Sequence, residues 1–180
     1  MKKLAFFPAF LALLMLARAG YGLDVKVTDI KKDEGKDGTF LVTAVLNDAI
    51  VVKDIRITDG NISYPQKKGR DDKLYKYIYF EPASYKKVTR ALLDGRCDTF
   101  TEADRNIEIT DIKITRIQNI DKLLGFAEIQ INGAFWIKSI ELIKGEKDPV
   151  ILFPYRNFKK RREIIYPADK KTEEKKKQAS

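Results

Sequence analysis

The chain has 180 residues, of which 44% are hydrophobic and 34% are charged, and its formal net charge at pH 7 is +9. This composition predicts a folded globular protein with one compact domain, or two small ones that share a core. There is no histidine and only one cysteine, Cys97, which excludes Ser-His-Asp and Cys-His catalysis, histidine zinc ligands and an internal disulfide. We expect Cys97 to be a small buried hydrophobic side chain rather than a free thiol.

The first segment has the three parts of a secretory signal peptide. Two lysines open it, an apolar run follows over residues 4–17, and Ala17-Arg18-Ala19 supplies the small-x-small pattern that precedes cleavage. The run is shorter than the ~20 residues that a membrane-spanning helix needs, and an uncleaved anchor is the alternative. We therefore predict a signal peptide over residues 1–19 and an exported mature protein that begins at Gly20 and is periplasmic or extracellular.

Two long segments of the chain repeat one another. Residues 27–31, Val-Thr-Asp-Ile-Lys, reappear as residues 109–113, Ile-Thr-Asp-Ile-Lys, and residues 47–55 correspond to residues 132–140. The order of the matches is kept, and further equivalent pairs are Gly60 with Gly145, Pro65 with Pro154 and Pro82 with Pro167. We predict two tandem units: unit 1 spans residues 20–97, a polar linker spans 98–106, unit 2 spans 107–167, and a basic polar tail spans 168–180.

Both units are predicted to consist mostly of β-strands, because their apolar residues alternate with charged ones or form short β-branched runs. The turn pairs Asn47-Asp48 and Asn132-Gly133 each join two such runs, which predicts one β-hairpin in each unit. The expected strands are Leu23 to Val27, Thr39 to Leu46, Ile50 to Thr58 and Lys73 to Phe80 in unit 1, and Ile107 to Ile117, Leu123 to Ile131, Ala134 to Ile143, Val150 to Phe153 and Glu163 to Tyr166 in unit 2.

One helix is predicted, at the end of unit 1. Pro82-Ala83-Ser84 opens it with Ser84 as the cap, and Gly95 can end it. Its apolar face is predicted to consist of Tyr85, Val88, Ala91 and Leu92, which lie at helical spacing. The matching segment of unit 2 begins at Pro167 and has no apolar stripe, so we expect that segment to be solvated or frayed.

This succession of motifs resembles the stage V sporulation protein G (SpoVG) septation family. The resemblance rests on Val-Thr-Asp-Ile-Lys, on the hairpin that ends in residues 47–60, on the proline with basic neighbours at 65–70, and on one helix after Pro82. The closer match covers residues 23–95 and a weaker one covers 107–176. The resemblance implies a small α+β domain that pairs by its sheet into a dimer, in regulators of division and sporulation that bind DNA or RNA. For this chain we expect an α+β fold of antiparallel sheets in which the two units form an intramolecular pseudo-dimer.

Two basic segments at matched positions are the candidate ligand-binding sites. Cations interleaved with aromatic residues suit a phosphate backbone or another polyanion, whereas the alternative is a solvated loop whose lysines protect a sheet edge. The residues concerned are Lys67, Lys68 and Arg70 in unit 1, and Arg156, Lys159, Lys160, Arg161 and Arg162 in unit 2.

The sequence contains no arrangement that predicts catalysis. Paired carboxylates such as Asp71-Asp72 lie in charge-rich turns beside lysines, and no phosphate-cradling glycine loop or nucleophile elbow is present. We expect no catalytic residue, no metal ligand and no cofactor. Phe135 and Trp136 lie in the middle of a predicted strand, where core or inter-unit packing is the expected role and a platform for a ligand is the alternative.

The predicted function is that of an exported, non-enzymatic binding protein that recognises an anionic polymer at the cell envelope, with a link to septation. The alternative is a nucleic-acid-binding regulator of septation or sporulation, as the resemblance implies for cytoplasmic family members. The predicted partners are therefore an envelope polyanion or a nucleic acid, besides the contact between the two units.

Overall fold

In a computed structural model, the described residues are 24–69, 71–101, 104, 107–118, 120–146, 148–156 and 162–168. Within these ranges the chain is antiparallel β-sheet with one α-helix, so the predicted α+β class is confirmed. In unit 1 the elements are β1 (Val27–Glu34), β2 (Phe40–Leu46), β3 (Ile50–Thr58), β4 (Asn61–Ser63), β5 (Gln66–Lys68), β6 (Leu74–Lys76), β7 (Ile78–Phe80) and helix α1 (Pro82–Asp94). In unit 2 they are β8 (Ile109–Arg116), β9 (Leu123–Ile131), β10 (Phe135–Ile143), β11 (Val150–Leu152), β12 (Tyr155–Arg156), β13 (Arg162–Glu163) and β14 (Ile165–Pro167).

The two units exchange one strand each. One five-stranded sheet has the order β1-β2-β3-β14, with β4 also paired to β3, and the other has the order β11-β10-β9-β8, with β7 also paired to β10. The first sheet thus contains β14 of unit 2, and the second contains β7 of unit 1. Two-stranded hairpins β5–β6 and β12–β13 complete the described strands.

The exchanged strands pair at equivalent places. Ile78 of β7 lies opposite Ile137, and Ile165 of β14 lies opposite Val52. The backbone repeats this match, because Glu81 N–H donates to Ala134 O at 2.9 Å and Ala168 N–H donates to Ala49 O at 2.7 Å.

This register corrects one predicted equivalence. Pro167 lies opposite Ile50, and Phe80 lies opposite Phe135, so Pro167 occupies the position of Phe80 rather than that of Pro82. Matching the two prolines by residue type was wrong, because the ladder hydrogen bonds determine the alignment. The segment equivalent to α1 therefore begins at residue 169, outside the described residues.

Each central hairpin turns on a buried asparagine. Asn47 and Asn132 have φ values of 51° and 54°, and the residues that follow them also have positive φ, as a type I′ turn requires. Asn47 Oδ1 accepts the N–H of Lys26 at 2.9 Å, and Asn132 Oδ1 accepts the N–H of Glu108 at 2.8 Å. The predicted hairpins are confirmed, and the two side chains also hold the segment that leads into each unit's first strand.

Replacing Asn47 by alanine is expected to lower the free energy of unfolding by about 2–4 kcal/mol. The change removes two side-chain hydrogen bonds, from Lys26 N–H and to Asp24 O. It also replaces asparagine, which tolerates positive φ, by alanine, for which the left-handed conformation costs up to about 1–2 kcal/mol. Asn47→Gly is the matched control, because glycine adopts this φ freely. Urea unfolding should rank alanine below glycine, and equal stability of the two variants would contradict the role of the turn.

The second strand of each central hairpin contains a β-bulge. Asp54 in β3 and Ser139 in β10 have φ values of 59° and 61°, and the ladder register shifts at both places. Bulges bend and twist a strand. Their matched positions, like the matched turns, support the interpretation of the chain as two tandem units.

The hydrophobic core is shared by both units. It includes Val52 and Ile55 of β3 together with Phe135 and Ile137 of β10 in one cluster. Phe135 is fully buried, and its ring lies 5.6 Å from that of Phe80, which belongs to unit 1. Inter-unit packing of Phe135 was predicted and is confirmed.

Two predicted strands are interrupted where the chain passes from a hairpin to the opposite sheet. Lys73 to Phe80 divides into β6 and β7 at Tyr77, and Glu163 to Tyr166 divides into β13 and β14 at Ile164. Tyr77 O accepts the N–H of Lys138 at 2.9 Å, and Ile164 O accepts the N–H of Lys53 at 2.8 Å. Each predicted continuous strand is therefore divided in two, because its hydrogen bonds change from the small hairpin to the sheet of the other unit.

Helix α1 begins one turn earlier than predicted. Glu81 is the N-cap residue without a side-chain cap bond, Pro82 is the first helical residue, and Ser84 is buried inside the helix, so Ser84 is not the cap. Val88, Ala91 and Leu92 are buried as predicted, whereas Tyr85 is exposed. Gly95, with φ 65°, ends the helix in the predicted left-handed conformation.

Cys97 is an exposed free thiol, so the prediction of burial was wrong. The chain has left α1 there and begins the linker, which runs along the start of β1. Asp98 Oδ2 accepts the N–H of Val27 at 2.8 Å, and Lys26 Nζ lies 2.8 Å from Asp104 Oδ2. Hydrogen bonds from Lys26 and Thr101 lower the pKa of Asp104 to about 2.

The described part of the chain contains no helix with the length and apolar character needed to cross a membrane. The predicted signal peptide over residues 1–19 lies outside the described residues. Export therefore remains a prediction from the sequence.

Candidate polyanion-binding hairpins

The candidate basic residues that the structure describes lie on the two small hairpins. Lys67 and Lys68 lie on β5, Arg156 lies on β12 and Arg162 lies on β13. Arg70, Lys159, Lys160 and Arg161 lie outside the described residues.

A proline backbone oxygen closes each hairpin at its base. Pro65 O accepts the N–H of Tyr77 at 3.0 Å, and Pro154 O accepts the N–H of Ile164 at 2.8 Å. The two prolines were predicted to be equivalent, and these matching bonds confirm it. Lys67 and Arg156, each two residues after its proline, therefore hold equivalent positions.

Arg156 connects its hairpin to the other unit. Its guanidinium Nη1 lies 3.3 Å from Oδ2 of Asp54, the half-buried bulge residue of unit 1. Arg162 lies directly opposite Arg156 in the β12–β13 ladder. The arginine pair therefore concentrates positive charge on the hairpin. Like charges at directly opposite positions of a strand pair are destabilising.

Lys67 lies over aromatic rings from both units. Its Nζ is 5.7 Å from the ring centroid of Phe126 in β9 and 6.0 Å from that of Tyr77. Contacts of this kind hold a cation over a ring face without neutralising its charge. Lys67 also lines an open groove of about 360 Å³ together with Tyr75, Phe126 and the bulge residue Ser139.

Tyr77 lies near a cation of each hairpin. Its hydroxyl has a raised pKa because it is buried, while the positive charge of Arg156 acts in the opposite direction and Glu141 adds to the increase. Lys67 approaches the same ring. The structure therefore brings the equivalent cations Lys67 and Arg156 to one region, although 89 residues separate them in sequence.

Acidic neighbours offset part of the charge of the β5–β6 hairpin. Lys68 Nζ lies 2.7 Å from Asp72, and both groups are exposed, where such pairs contribute little stability. The Tyr75 hydroxyl donates to Asp71 and lowers the pKa of that carboxyl group. Residues 155–163, by contrast, contain five basic residues and one acid, so the hairpin of unit 2 carries the larger net positive charge.

An aromatic cleft beside α1 was not predicted. It has a volume of about 390 Å³ and is lined by Tyr64, Tyr79, Phe80 and Tyr85, with Lys76 and Lys86 also in its wall. Burial raises the pKa of Tyr64 to about 12. Five of the eight tyrosines lie between residues 64 and 85, and that concentration was the signal in the sequence.

No group of three or more acidic or cysteine side chains placed to hold a metal ion occurs among the described residues. Trp136 also has a structural contact, because its Nε1 donates to Glu81 of unit 1 at 3.3 Å. Its inter-unit role was predicted and is confirmed.

Comparison with known proteins agrees with the resemblance noted in the sequence. A family model described as SpoVG matches residues 107–179. A protein of Phytoplasma australiense described as "Putative septation protein SpoVG" is 34% identical over 68 residues, which is 37% of this chain and 71% of that protein. This chain belongs to the SpoVG family. The family-model match covers unit 2 and the tail, for which the motifs had indicated the weaker SpoVG resemblance. No solved structure matches the chain.

Proposed function

We propose that this SpoVG family member is an exported, non-enzymatic protein that binds an anionic polymer at the cell envelope through its two basic hairpins. A link to septation is part of the proposal and rests on the name of the similar protein. Export rests on the signal-like pattern of residues 1–19.

The observation that carries the binding proposal is the arginine pair, Arg156 opposite Arg162, with Lys67 near the same crossover residue Tyr77. Asp54 offsets part of the charge of Arg156. The positive charge that remains on the two opposite arginines is unfavourable until an anion lies between or above them. A guanidinium can donate two parallel hydrogen bonds to one phosphate or carboxylate group. A polymer with repeated anionic groups could therefore contact both hairpins at once.

The second candidate is a nucleic-acid-binding regulator, and the aromatic cleft is the observation that favours it. Tyr79 and Tyr85 offer partly exposed rings beside Lys76 and Lys86. Bases stack on such rings with about 1–3 kcal/mol each, while lysines neutralise the backbone. Stacking gives single-stranded nucleic acid an additional contact that an aliphatic phosphate polymer lacks.

A quadruple alanine variant is expected to weaken polyanion binding without unfolding the sheets. It replaces Lys159, Lys160, Arg161 and Arg162. Each lost phosphate contact removes counterion release, so the slope of log affinity against log salt should become shallower by about 0.7 per contact for a single strand. Heparin, single-stranded DNA and purified envelope polymer should be compared across a salt series, with circular dichroism to verify folding.

A control variant removes the same number of charges elsewhere. Lys31, Arg90, Lys122 and Lys144 are exposed and lie away from both hairpins, and their replacement by alanine should leave the salt slope nearly unchanged. Equal binding by both quadruple variants, or binding that does not depend on salt, would contradict the proposed site. Cell fractionation tests export separately, because a cytoplasmic protein would favour the nucleic-acid candidate.

A further inference from the structure

Strand β8 exposes an apolar strip at the edge of its sheet. All eight residues of the strand are exposed, and Ile109, Ile112 and Ile114 have 53%, 55% and 60% of their surface accessible. These three lie opposite Ile131, Ile129 and Ala127 of β9, which belong to the core or pack against it. The isoleucine strip is therefore the core face of the sheet, continued onto an edge strand that no other described segment covers.

Unit 1 covers the equivalent edge with its helix. Val27, which corresponds to Ile109, is fully buried, and α1 packs against β1 and β7 through a face that includes Val88 and Leu92. The segment equivalent to α1 in unit 2 begins at residue 169, and residues 169–180 contain one apolar residue, Ala179. A single alanine near the end of the segment cannot form an apolar face like that of α1.

We propose that the isoleucine strip of β8 is the docking surface for a second copy of this chain, paired antiparallel through β8. The N–H of Ile117 donates to Leu124 O at 3.1 Å. Because ladder bonds alternate along a strand, Lys113 and Thr115 direct their backbone groups to β9. Ile112 and Ile114 then direct theirs to the open edge. The N–H of Ile112 donates there to Oδ1 of its neighbour Asp111 at 2.8 Å, and a second strand would replace that local bond with a backbone carbonyl.

Charge selects one register among those that this alternation allows. With the twofold axis at Ile112, Asp111 lies opposite Lys113 of the second copy on both sides of the axis, and opposite charges at such positions stabilise a strand pair. Lys113 Nζ lies 4.2 Å from the ring centroid of Trp136 in the single chain, so the side chain would turn from that ring to the carboxylate when the pair forms. With the axis at Lys113, two lysines face each other, which is unfavourable. With the axis at Ile114, Lys113 lies opposite Thr115 and has no charged partner. We therefore place the axis at Ile112.

The expected dimer is a weak one. A single strand pair with six isoleucine side chains buries less surface than the roughly 1,200 Å² typical of stable specific interfaces. The monomer and the dimer should consequently both be populated in solution, with proportions that depend on protein concentration.

Sedimentation velocity of the purified exported protein over a concentration series tests the proposal. Ile112→Lys places like charges on the axis and removes apolar contact, and should raise the dimer Kd by roughly tenfold or more. Ile151→Lys is the control, because Ile151 is equally exposed at 55% but lies on β11, at the opposite edge of the sheet. This control should dimerise like the unmodified chain, and circular dichroism should show both variants folded.

Charge exchange tests the register. Asp111→Lys and Lys113→Asp should each weaken the dimer, and the double variant should restore it, because the opposite charges meet again across the axis. A chain that stays monomeric at every concentration, a dimer unaffected by Ile112→Lys, or a double variant that stays as weak as the single ones would overturn the proposal. So would a monomer whose strip is covered by another segment of its own chain or by a different protein.

Discussion

Replacing Phe135 by alanine is expected to lower the free energy of unfolding by about 3–5 kcal/mol, the cost of removing a large side chain from a close-packed core. Phe135 is fully buried on β10, where it pairs with Phe80 of unit 1 and with Ile131 of its own unit. The cavity would lie at the junction of the two units. Urea unfolding followed by circular dichroism measures the loss, and a single transition is expected because both units share one core.

Phe40→Ala is the matched control for this prediction. Phe40 lies on β2 with 41% of its surface exposed, so its removal leaves no closed cavity and should cost about 1 kcal/mol or less. Comparable losses for the two phenylalanine variants would show that Phe135 does not form a closed core contact. Two separate unfolding transitions would show that the units do not share a core.

Cutting the linker between Thr101 and Asp104 is expected to leave the two halves of the protein together. Strand β7 is hydrogen-bonded into the sheet of unit 2, and β14 is hydrogen-bonded into that of unit 1, so neither half can leave without breaking a ladder and exposing the core. A protease site inserted there, followed by size-exclusion chromatography of the cut protein, measures this. The fragments should separate only in denaturant.

Residues 20–97 produced alone provide the complementary experiment. Without β10, strand β7 has no partner and Phe80 loses Phe135, so we expect this fragment to unfold, to aggregate or to exchange β7 with a second copy. A stable monomeric fragment that melts at the temperature of the intact chain would contradict strand exchange. Separation of the cut halves under native conditions would contradict it as well.

Local features of the sequence were sufficient for the central hairpins. The range Ile50–Thr58 was predicted and observed without change, as was Leu123–Ile131. Asn-Asp and Asn-Gly adopt positive φ at low cost, and β-branched runs on either side favour extended backbone. The repeat also indicated that Pro65 and Pro154 would occupy matching places, which the bonds at the base of the two small hairpins bear out.

The sequence predicted some properties of the candidate binding residues. Their basic character and matched positions were evident, but their partners were not, because Arg156 pairs with Asp54 and Lys67 lies over Phe126 of the other unit. Such contacts depend on where the β12–β13 and β5–β6 hairpins leave their own sheets. The aromatic cleft was missed for the same reason, since Tyr64 and Tyr85 meet only after α1 packs against β7.

The sequence by itself determined the strands and turns of the two central hairpins and the internal repeat, because each depends on residues close together along the chain. It did not determine every strand: the first was predicted over Leu23 to Val27 and lies at Val27–Glu34, and the short β4 and β5 were not predicted. Only the tertiary structure decided which sheet β7 and β14 enter, and hence why Tyr77 interrupts a predicted strand. It also decided that Ile109 stays exposed while the equivalent Val27 is buried. A period-2 pattern specifies which side chains share a face, but what covers that face depends on a helix that unit 1 has and for which unit 2 lacks the apolar residues.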